Sequence, residues 1–384
     1  MREDKIMVRV TDSEKDLFDR KSAEHGLATA SWARMELLRA ANEKATPIQS
    51  RNGTPDLPLL SFFCGPGGLD EGFRQAGFST VLAFDNDEEC VNSFRANHKE
   101  AKVFQRDLTR LTLTDIDELN GGTIKPIGVI GGPPCQSFSV SNVHQTDDDP
   151  RHKLPEVYAG LLRQLNQRHP LSFFVFENVP GLLGKKHRAR YETFKTLFAQ
   201  AGFTITEQLL DAQHFGVPQE RPRIIIVGIN QNLHPNTSWQ PPTTENRIKT
   251  VRETIYGLKE PVFRSDEVDT DAIPVHPNHW TMMPKSKKFR TKGALTEGQM
   301  WGRSFRTLFW DKPSWTVAYG HREVHVHPQG HRRLSIYEAM LLQTFPKSYR
   351  LTGNISAQIR LVSEAVPPRL GWHIAVSVRK SLGI

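Results

Sequence analysis

The chain has 384 residues, 38% of them hydrophobic, and a formal charge of +8. This length and apolar content allow a buried core in two or three domains, which excludes global disorder. Its three cysteines exclude a disulfide framework and a four-cysteine zinc site, and no apolar run approaches the roughly 20 residues of a membrane span. We therefore expect a cytoplasmic protein without membrane contact.

Residues 1–45 are predicted to form a small unit of their own. Residues 5–10 alternate like a short strand, and helices are predicted from Ser13 to His25 and from Thr29 or Ser31 to Asn42. This order resembles the ribbon-helix-helix family of dimeric DNA-binding proteins. The resemblance implies a dimer through residues 1–45, with outward strand side chains in the major groove, namely Lys5, Met7 and Arg9. A plain helical or dimerising extension is the alternative.

A linker, residues 46–57, is followed by a different pattern. Short apolar runs alternate with amphipathic stretches of helical length, as in a doubly wound α/β fold with a parallel sheet. The predicted strands are Leu59–Phe63, Thr80–Phe84, Ile127–Ile130, Phe173–Phe176 and Ile224–Ile229.

The first two strands predict a nucleoside site. Strand one ends in a turn containing Gly65, Gly67 and Gly68, which allows close approach to a ligand. Strand two ends in Asp85, seventeen residues after the last glycine, where a carboxylate can bind both ribose hydroxyls. Asp107 follows a third apolar stretch. The turn spacing departs from the dinucleotide fingerprint, which argues against a nicotinamide cofactor.

Polar residues with catalytic chemistry follow the later strands. Cys135 lies in a proline-stiffened turn after strand three, where it is either an exposed nucleophile or an incidental cysteine. Glu177 ends an apolar strand, where burial raises a carboxyl pKa and suits it to hydrogen-bond a substrate nitrogen; a helix cap is the alternative. Arg221 precedes the fifth predicted strand, and Arg223 lies at its start. Their two positive charges can face one pocket. We expect all these groups at one edge of the sheet.

In this order the motifs resemble those of the DNA (cytosine-5) methyltransferase family, over residues 58–384. The elements that carry the resemblance are Phe63-x-Gly65-x-Gly67-Gly68, Pro134-Cys135-Gln136, Glu177-Asn178-Val179, Gln219-x-Arg221-x-Arg223, Arg332-x-Leu334-Ser335-x-x-Glu338, Leu342-Gln343-x-Phe345-Pro346 and Ala365-Val366-Pro367-Pro368.

The resemblance implies an α/β fold: a Rossmann-like S-adenosylmethionine-dependent methyltransferase sheet with a smaller target-recognition domain. The implied domains are a catalytic domain at 58–232, a recognition domain at 233–350 and a C-terminal return at 351–384. The implied catalytic residues are Cys135, Glu177, Arg221 and Arg223. The implied S-adenosylmethionine-binding residues are Phe63, Gly65, Gly67, Gly68, Asp85, Asn86, Asp107, Pro134 and Glu364.

Two positions depart from the family pattern. Ser363-Glu364 replaces the usual Gly-Asn before Ala-Val-Pro, which places a carboxylate near the amino-acid end of the cofactor. Asn86 stands where an aromatic side chain often covers the adenine. Neither change touches the thiol, so the resemblance still implies an active enzyme.

The segment between His276 and Arg333 has eleven Lys or Arg and three acidic residues, so it carries the whole excess of +8. Interleaved aromatic residues favour nucleic acid over a merely solvated face. The predicted DNA contacts are Lys285, Lys287, Lys288, Arg290, Arg303, Arg306, His321, Arg322 and Arg332. A zinc site at His321, His325, His327 and His331 is the alternative for the histidines, but no cysteine is near, and no metal is predicted.

The sequence thus predicts methylation of C5 of a flipped cytosine in a short duplex DNA site, through a covalent Cys135–C6 adduct. Host protection in a restriction-modification system with a cognate endonuclease is the expected context. The alternatives are RNA cytosine-5 methylation and a transcriptional regulator acting through residues 1–45.

Overall fold

The computed structural model describes residues 11–24, 28–30, 32–33, 57–134, 153–265, 268–302, 304–316 and 324–384. The chain divides into two compact units, Met1–Asp56 and Leu57–Ile384. In the first unit a helix, α1, spans Asp12–Glu24, close to the predicted bounds. The predicted strand and most of the second helix lie outside the described residues.

The second unit is built on a seven-stranded sheet. Its strands are β1 (Pro58–Phe62), β2 (Ser79–Asp85), β3 (Lys102–Gln105), β4 (Gly128–Gly131), β5 (Phe173–Asn178), β6 (Phe203–Asp211) and β7 (Pro222–Asn230). The helices of this part are α2 (Gly68–Gln75), α3 (Glu88–Asn97), α4 (Leu113–Asn120), α5 (Leu154–Arg168) and α6 (Arg188–Gln200). The five predicted strands are present. The third apolar stretch noted before Asp107 forms β3, and β6 is a strand that the sequence patterns did not reveal.

The strand order is β3-β2-β1-β4-β5-β7-β6. The first five strands in this order are parallel, whereas β7 runs antiparallel to both β5 and β6. The sheet is therefore mostly parallel, as predicted, and the prediction was wrong only for β7, which runs opposite to the other six strands. The reversal matters for the site, because it brings the beginning of β7 to the edge where β1, β2, β4 and β5 end.

Two hydrophobic cores cover the two faces of the sheet. Successive side chains of strand β5 point to opposite faces of the sheet. Phe174 and Phe176 therefore pack in one core, and Phe173 and Val175 pack in the other. Helices α5 and α6 cover the first face, and α2 and the C-terminal helix α10 (Pro368–Leu382) cover the second. The sheet is thus enclosed on both sides, and ligands have access only at its edges.

The remaining elements form a smaller part with its own core. They are α7 (Val251–Ile255), β8 (Val262–Phe263), β9 (Trp280–Thr281), β10 (Met300–Trp301), β11 (Phe305–Arg306), α8 (Ile336–Leu342) and α9 (Ile355–Glu364). Helix α9 packs in this third core together with α7 and α8. Helix α10 packs against the sheet, and the domain boundary at residue 350 stays a prediction. In the described part of the chain, no helix is long and apolar enough to cross a membrane.

Candidate active site

A cleft of about 1080 Å³ opens at the edge where the parallel strands end. Of the predicted cofactor residues, it is lined by Phe63, Gly65, Gly68, Asp85, Asn86, Pro134 and Glu364. Glu177 and Arg223 line the same cleft, as does Arg306 from the smaller part. The structure thus brings together most of the predicted cofactor residues, two of the predicted catalytic residues and one predicted DNA contact.

The turn after β1 is held in a strained conformation. Phe63 has a φ of 54°, a value that a non-glycine residue rarely adopts, and Gly65 and Gly67 have φ values of 55° and 93°. A side chain at Gly67 would meet the His98 ring and the Tyr349 hydroxyl, and one at Gly68 would meet the carbonyl of Val366. Gly67 does not line the cleft; its role is to let these neighbours approach.

Asp85 is fixed at the end of β2 by two backbone donors. Its Oδ2 accepts from the Gly65 N–H at 2.9 Å and its Oδ1 from the Asp87 N–H at 3.0 Å. Burial raises the pKa of this carboxyl, although both hydrogen bonds oppose the rise. Asp85 therefore ties the glycine turn to β2, and each of its oxygens keeps a lone pair for a further donor.

Asp107 and Asn86 have different environments from Asp85. The Asp107 carboxylate is exposed, accepts from the backbone and hydroxyl of Thr109, and does not line the cleft. Its expected contact with the cofactor thus has no support in the geometry. Asn86 lines the cleft with an exposed side chain.

Glu177 and Arg223 form a buried ion pair. Arg223 Nε lies 2.9 Å from Glu177 Oε1, and the two side chains are 10% and 12% exposed. The antiparallel pairing of β5 and β7 makes this contact possible, since Glu177 lies opposite Ile225. Burial raises the pKa of Glu177, even though Arg223 and Arg221 act in the opposite direction.

Glu177 also lies directly beside the loop that leads to Cys135. A Cβ at Gly132 would come within 2.6 Å of Glu177 Oε2, and Asn178 Nδ2 donates to the Pro133 carbonyl at 3.3 Å. Only glycine leaves room for the carboxylate at this point. Cys135 itself lies outside the described residues, as do Arg303, His321 and Arg322.

Arg221 occupies a different position from the one predicted. It is 1% exposed, does not line the cleft, and its Nη2 donates to the carbonyls of Ser363 at 2.7 Å and Ala365 at 2.8 Å. The structure therefore corrects the prediction that Arg221 contacts a substrate directly. Arg221 precedes β7, and its side chain reaches behind the wall of the cleft. It acts on the site through the backbone on either side of Glu364.

The structure contradicts the prediction that Arg332 contacts DNA. Its guanidinium is 1% exposed and bonds Glu338 at 2.8 and 2.9 Å and Glu260 at 2.7 Å. Burial with two carboxylates makes it a structural residue. Lys285, Lys287 and Arg290 are exposed, and Lys288 is half-buried with its Nζ 3.7 Å from the ring centre of Trp301.

Backbone hydrogen bonds join the smaller part to the segment that leads into β7. The Glu220 N–H donates to the Ser314 carbonyl at 2.8 Å, and the Ser314 N–H donates to the Pro218 carbonyl at 2.9 Å. Trp315 and Thr316 follow and line the cleft, with Arg306 beside them. These residues of the smaller part thus line the same cleft as Glu177 and Arg223.

Two of the histidines considered for zinc are buried against aromatic rings. His325 lies edge-on to Trp315 and His327 to Trp310. His331 bonds Glu260 instead. Within the described ranges, no group of three or more His, Cys, Asp or Glu could hold a metal ion.

Sequence reasoning missed the pair of Asp87 and Arg360, both of which line the cleft. Arg360 Nη2 lies 2.9 Å from Asp87 Oδ2, and its Nη1 lies 3.4 Å from Glu364 Oε2. The spacing of four residues between Arg360 and Glu364 is a helical signal that the sequence contained. The contact with Asp87 joins positions 273 residues apart and had no local signal.

Comparison with known proteins agrees with this geometry. Solved structures with the same fold include a DNA modification methyltransferase encoded within an E. coli prophage, at a TM-score of 0.71 and 22% identity over 86% of this chain and 100% of that one. The Entamoeba histolytica methyltransferase EhMeth superposes with a TM-score of 0.61 at 15% identity, over 86% of this chain and 99% of that one. The chain therefore has the Rossmann-like α/β fold of these methyltransferase structures.

The sequence comparison is more specific. The C-5 cytosine-specific DNA methylase family matches residues 57–380. The type II methyltransferase M.MthTI of Methanothermobacter thermautotrophicus is 31% identical over 350 residues, which is 85% of this chain and 98% of that protein. M.FnuDI of Fusobacterium nucleatum is 28% identical over 85% and 95%. The chain belongs to the C-5 cytosine-specific DNA methylase family and is a DNA (cytosine-5) methyltransferase.

Proposed function

We propose that this enzyme methylates C5 of a cytosine flipped out of a specific short duplex DNA site, through a covalent bond between Cys135 and C6. The observation that carries the proposal is the position of Glu177. Its carboxylate pairs with Arg223 and packs against Gly132, three residues before Cys135, in the cleft that the glycine turn also lines. Thiol, carboxyl and arginine are then available to one pyrimidine ring.

The chemistry requires both groups. Attack of the Cys135 thiolate on C6 breaks the C5–C6 double bond, while Glu177 holds or supplies a proton at N3, so that C5 becomes nucleophilic. The raised pKa of Glu177 suits it to keep that proton. Arg223 holds the base carbonyl and stabilises the charge that develops on the ring. After methyl transfer a proton leaves C5, and the bond between Sγ and C6 breaks.

The methyl donor that fits the cleft is S-adenosylmethionine, which supplies an electrophilic methyl group on a sulfonium. Seven carboxylates and three arginines line the described cleft. This excess of negative charge suits a positively charged donor and contrasts with the basic segment between His276 and Arg333. Its adenosine and amino-acid parts would be held by residues that line the cleft, namely Phe63, Gly65, Asp85, Asn86 and Pro134.

The basic segment is proposed to bind double-stranded DNA. Lys285, Lys287, Lys288, Arg290 and Arg306 are the described residues that would contact it. The curated relatives are type II methyltransferases by name, which supports host protection beside a cognate restriction endonuclease. The expected location is the cytoplasm, and residues 1–45 remain a proposed dimerising or DNA-binding extension.

Transfer of labelled methyl groups tests the proposal. The purified protein should label duplex DNA and not RNA, and sequencing of DNA from an expressing host should map one short site. Cys135→Ser should abolish transfer while retaining binding to that site. Labelling of RNA alone would replace the proposal with the RNA methyltransferase alternative, and turnover by Cys135→Ser would exclude the covalent step.

A further inference from the structure

Tyr349 of the smaller part reaches the glycine turn, residues 63–68, with its hydroxyl group. The residue is buried in the third core, and the hydroxyl donates to the Pro66 carbonyl at 2.5 Å. His98 Nε2 lies 3.0 Å from the same hydroxyl oxygen. Because the carbonyl accepts the single hydroxyl hydrogen, the His98 ring is the donor in this second bond. The hydroxyl is thus fixed by one bond on each side.

The backbone of the glycine turn has the shape that this hydroxyl requires. Gly67 has a φ of 93°, and a Cβ there would come within 2.6 Å of the Tyr349 hydroxyl and 2.5 Å of His98 Nε2. Phe63, at the start of the turn, has a φ of 54°, which costs a non-glycine residue free energy. Phe63 and Pro66 both line the cleft. The shape of this wall of the cleft therefore depends on contacts that hold the turn.

The segment that follows Tyr349 is fixed to α3 by contacts of its own. The Asn97 side chain donates to the Arg350 carbonyl at 2.7 Å and accepts from the Arg350 N–H at 2.8 Å. Two residues further on, the Thr352 N–H donates to Ser93 Oγ at 2.9 Å. These bonds do not involve the glycine turn. Tyr349 is therefore held in position beside the turn by the docking of its own segment.

We propose that Tyr349 is a positioning residue, whose hydroxyl holds the glycine turn in the conformation that binds S-adenosylmethionine. This inference rests on the proposed methyl donor. Without the hydroxyl, the Pro66 carbonyl loses this donor and the strained turn adopts further conformations, of which only a fraction can bind the cofactor. The apparent dissociation constant then rises by the inverse of that fraction, whereas the chemistry of the fully bound enzyme stays the same.

Calorimetric titration of Tyr349→Phe with S-adenosylmethionine, in the absence of DNA, tests the inference. We expect the dissociation constant to rise by about three- to tenfold, the factor that corresponds to one lost hydrogen bond. The methylation rate at saturating cofactor should stay within about twofold of the wild type. Tyr337→Phe is the matched control and should bind like the wild type, because Tyr337 is a buried tyrosine of the smaller part that stacks on His276 and does not line the cleft.

Asn97→Ala separates positioning of the turn from a general loosening of the docked segment. It removes both bonds to Arg350 but no contact with the turn. This variant should unfold at a lower temperature than the wild type and still bind S-adenosylmethionine within about twofold of it. Thermal unfolding verifies that each variant is folded at the temperature of titration.

Three results would overturn the inference while the proposed donor stands. They are wild-type cofactor affinity in Tyr349→Phe, equal loss of affinity in Asn97→Ala, and a lower rate of Tyr349→Phe at saturating cofactor with no change in affinity. The second of these would assign the effect to the segment and not to the hydroxyl. If the wild-type protein itself binds no S-adenosylmethionine, the proposed donor fails, and this inference fails with it.

Discussion

Individual residues at the cleft have properties that follow from burial. Glu177 and Asp70 are both carboxyls whose pKa is raised, with desolvation as the first cause. Glu177 faces the cleft beside Arg223, whereas Asp70 accepts hydrogen bonds from Ser61 Oγ at 3.1 Å and Thr80 Oγ1 at 2.9 Å. The same physical effect therefore serves proposed catalysis in one case and affects stability in the other.

Glu177→Gln should lower the single-turnover rate of DNA methylation by about 10²- to 10⁴-fold, the usual contribution of a general acid. Glutamine can donate a hydrogen bond to N3 but cannot release a proton. Because the raised pKa keeps Glu177 protonated to higher pH, the ratio of wild-type to variant rate should fall as pH rises. A ratio independent of pH would contradict a protonated Glu177, and exposed Glu118→Gln on α4 is the control.

Asp70→Asn should change the pH dependence of stability. The pKa of Asp70 is raised from 3.8 to about 6. Between these two pH values Asp70 is deprotonated in the unfolded chain but still protonated in the folded protein. The free energy of unfolding of the wild type therefore falls as pH rises, by about 3 kcal/mol in total once the pH is above 6. The asparagine of the variant does not titrate in this range. Urea unfolding should therefore show that the free energy of unfolding of the variant increases relative to that of the wild type between pH 4 and 6. A constant difference would contradict this assignment.

At the scale of elements, the turns and helix ends matter more than the regular strands. The capping box of α8 is one example, because Ser335 Oγ accepts from the Glu338 N–H while Glu338 also bonds Arg332. The motif Arg332-x-Leu334-Ser335-x-x-Glu338 is thus a helix start with a buried ion pair. Arg332 therefore belongs to the fold of the smaller part and not to a DNA surface.

Arg332→Met should reduce the free energy of unfolding by about 3–5 kcal/mol, since it leaves Glu338 buried without its partner. Lys288→Ala should reduce it by no more than about 1 kcal/mol, because the side chain of this partly exposed lysine loses a cation–π contact with Trp301 and not a buried ion pair. Denaturant unfolding measures both. Lys288→Ala should instead weaken DNA binding and reduce its salt dependence. An Arg332→Met protein as stable as the wild type would contradict the structural role.

At the scale of the whole molecule, the chain consists of two separate units. The family match at residues 57–380 falls within the second one, Leu57–Ile384. The hydrophobic cores around the sheet and in the smaller part consist of residues from this unit. We therefore expect catalysis not to require the first 56 residues.

A protein of residues 57–384 should retain the methylation rate of the full chain within about twofold, since an order of magnitude would need about 1.4 kcal/mol of lost transition-state stabilisation. Its main thermal transition should also be unchanged. Rate measurements on the mapped site and scanning calorimetry check both. Loss of methylation with an intact thermal transition would assign part of the active site to the first unit.

Local patterns were sufficient to predict most of the catalytic part. Gly65, Asp85 and Glu177 follow apolar runs whose length and composition define strands, and a residue at the end of a strand is placed by the strand itself. The thiol motif follows the same rule, although the structure does not describe Cys135. The sequence by itself therefore determined the fold class, five of the seven strands and the positions of Gly65, Asp85 and Glu177 at the sheet edge.

Only the tertiary structure decided the direction of β7 and the partners of the charged residues. The reversal of β7 pairs Arg223 with Glu177, and long-range packing places Arg221 on the Ser363 carbonyl and Arg360 on Asp87. Composition alone could not distinguish Arg332, which is buried, from Lys285, which is exposed. The physical reason is that burial and ion pairing depend on segments far apart in the chain, whereas periodicity reports only on near neighbours.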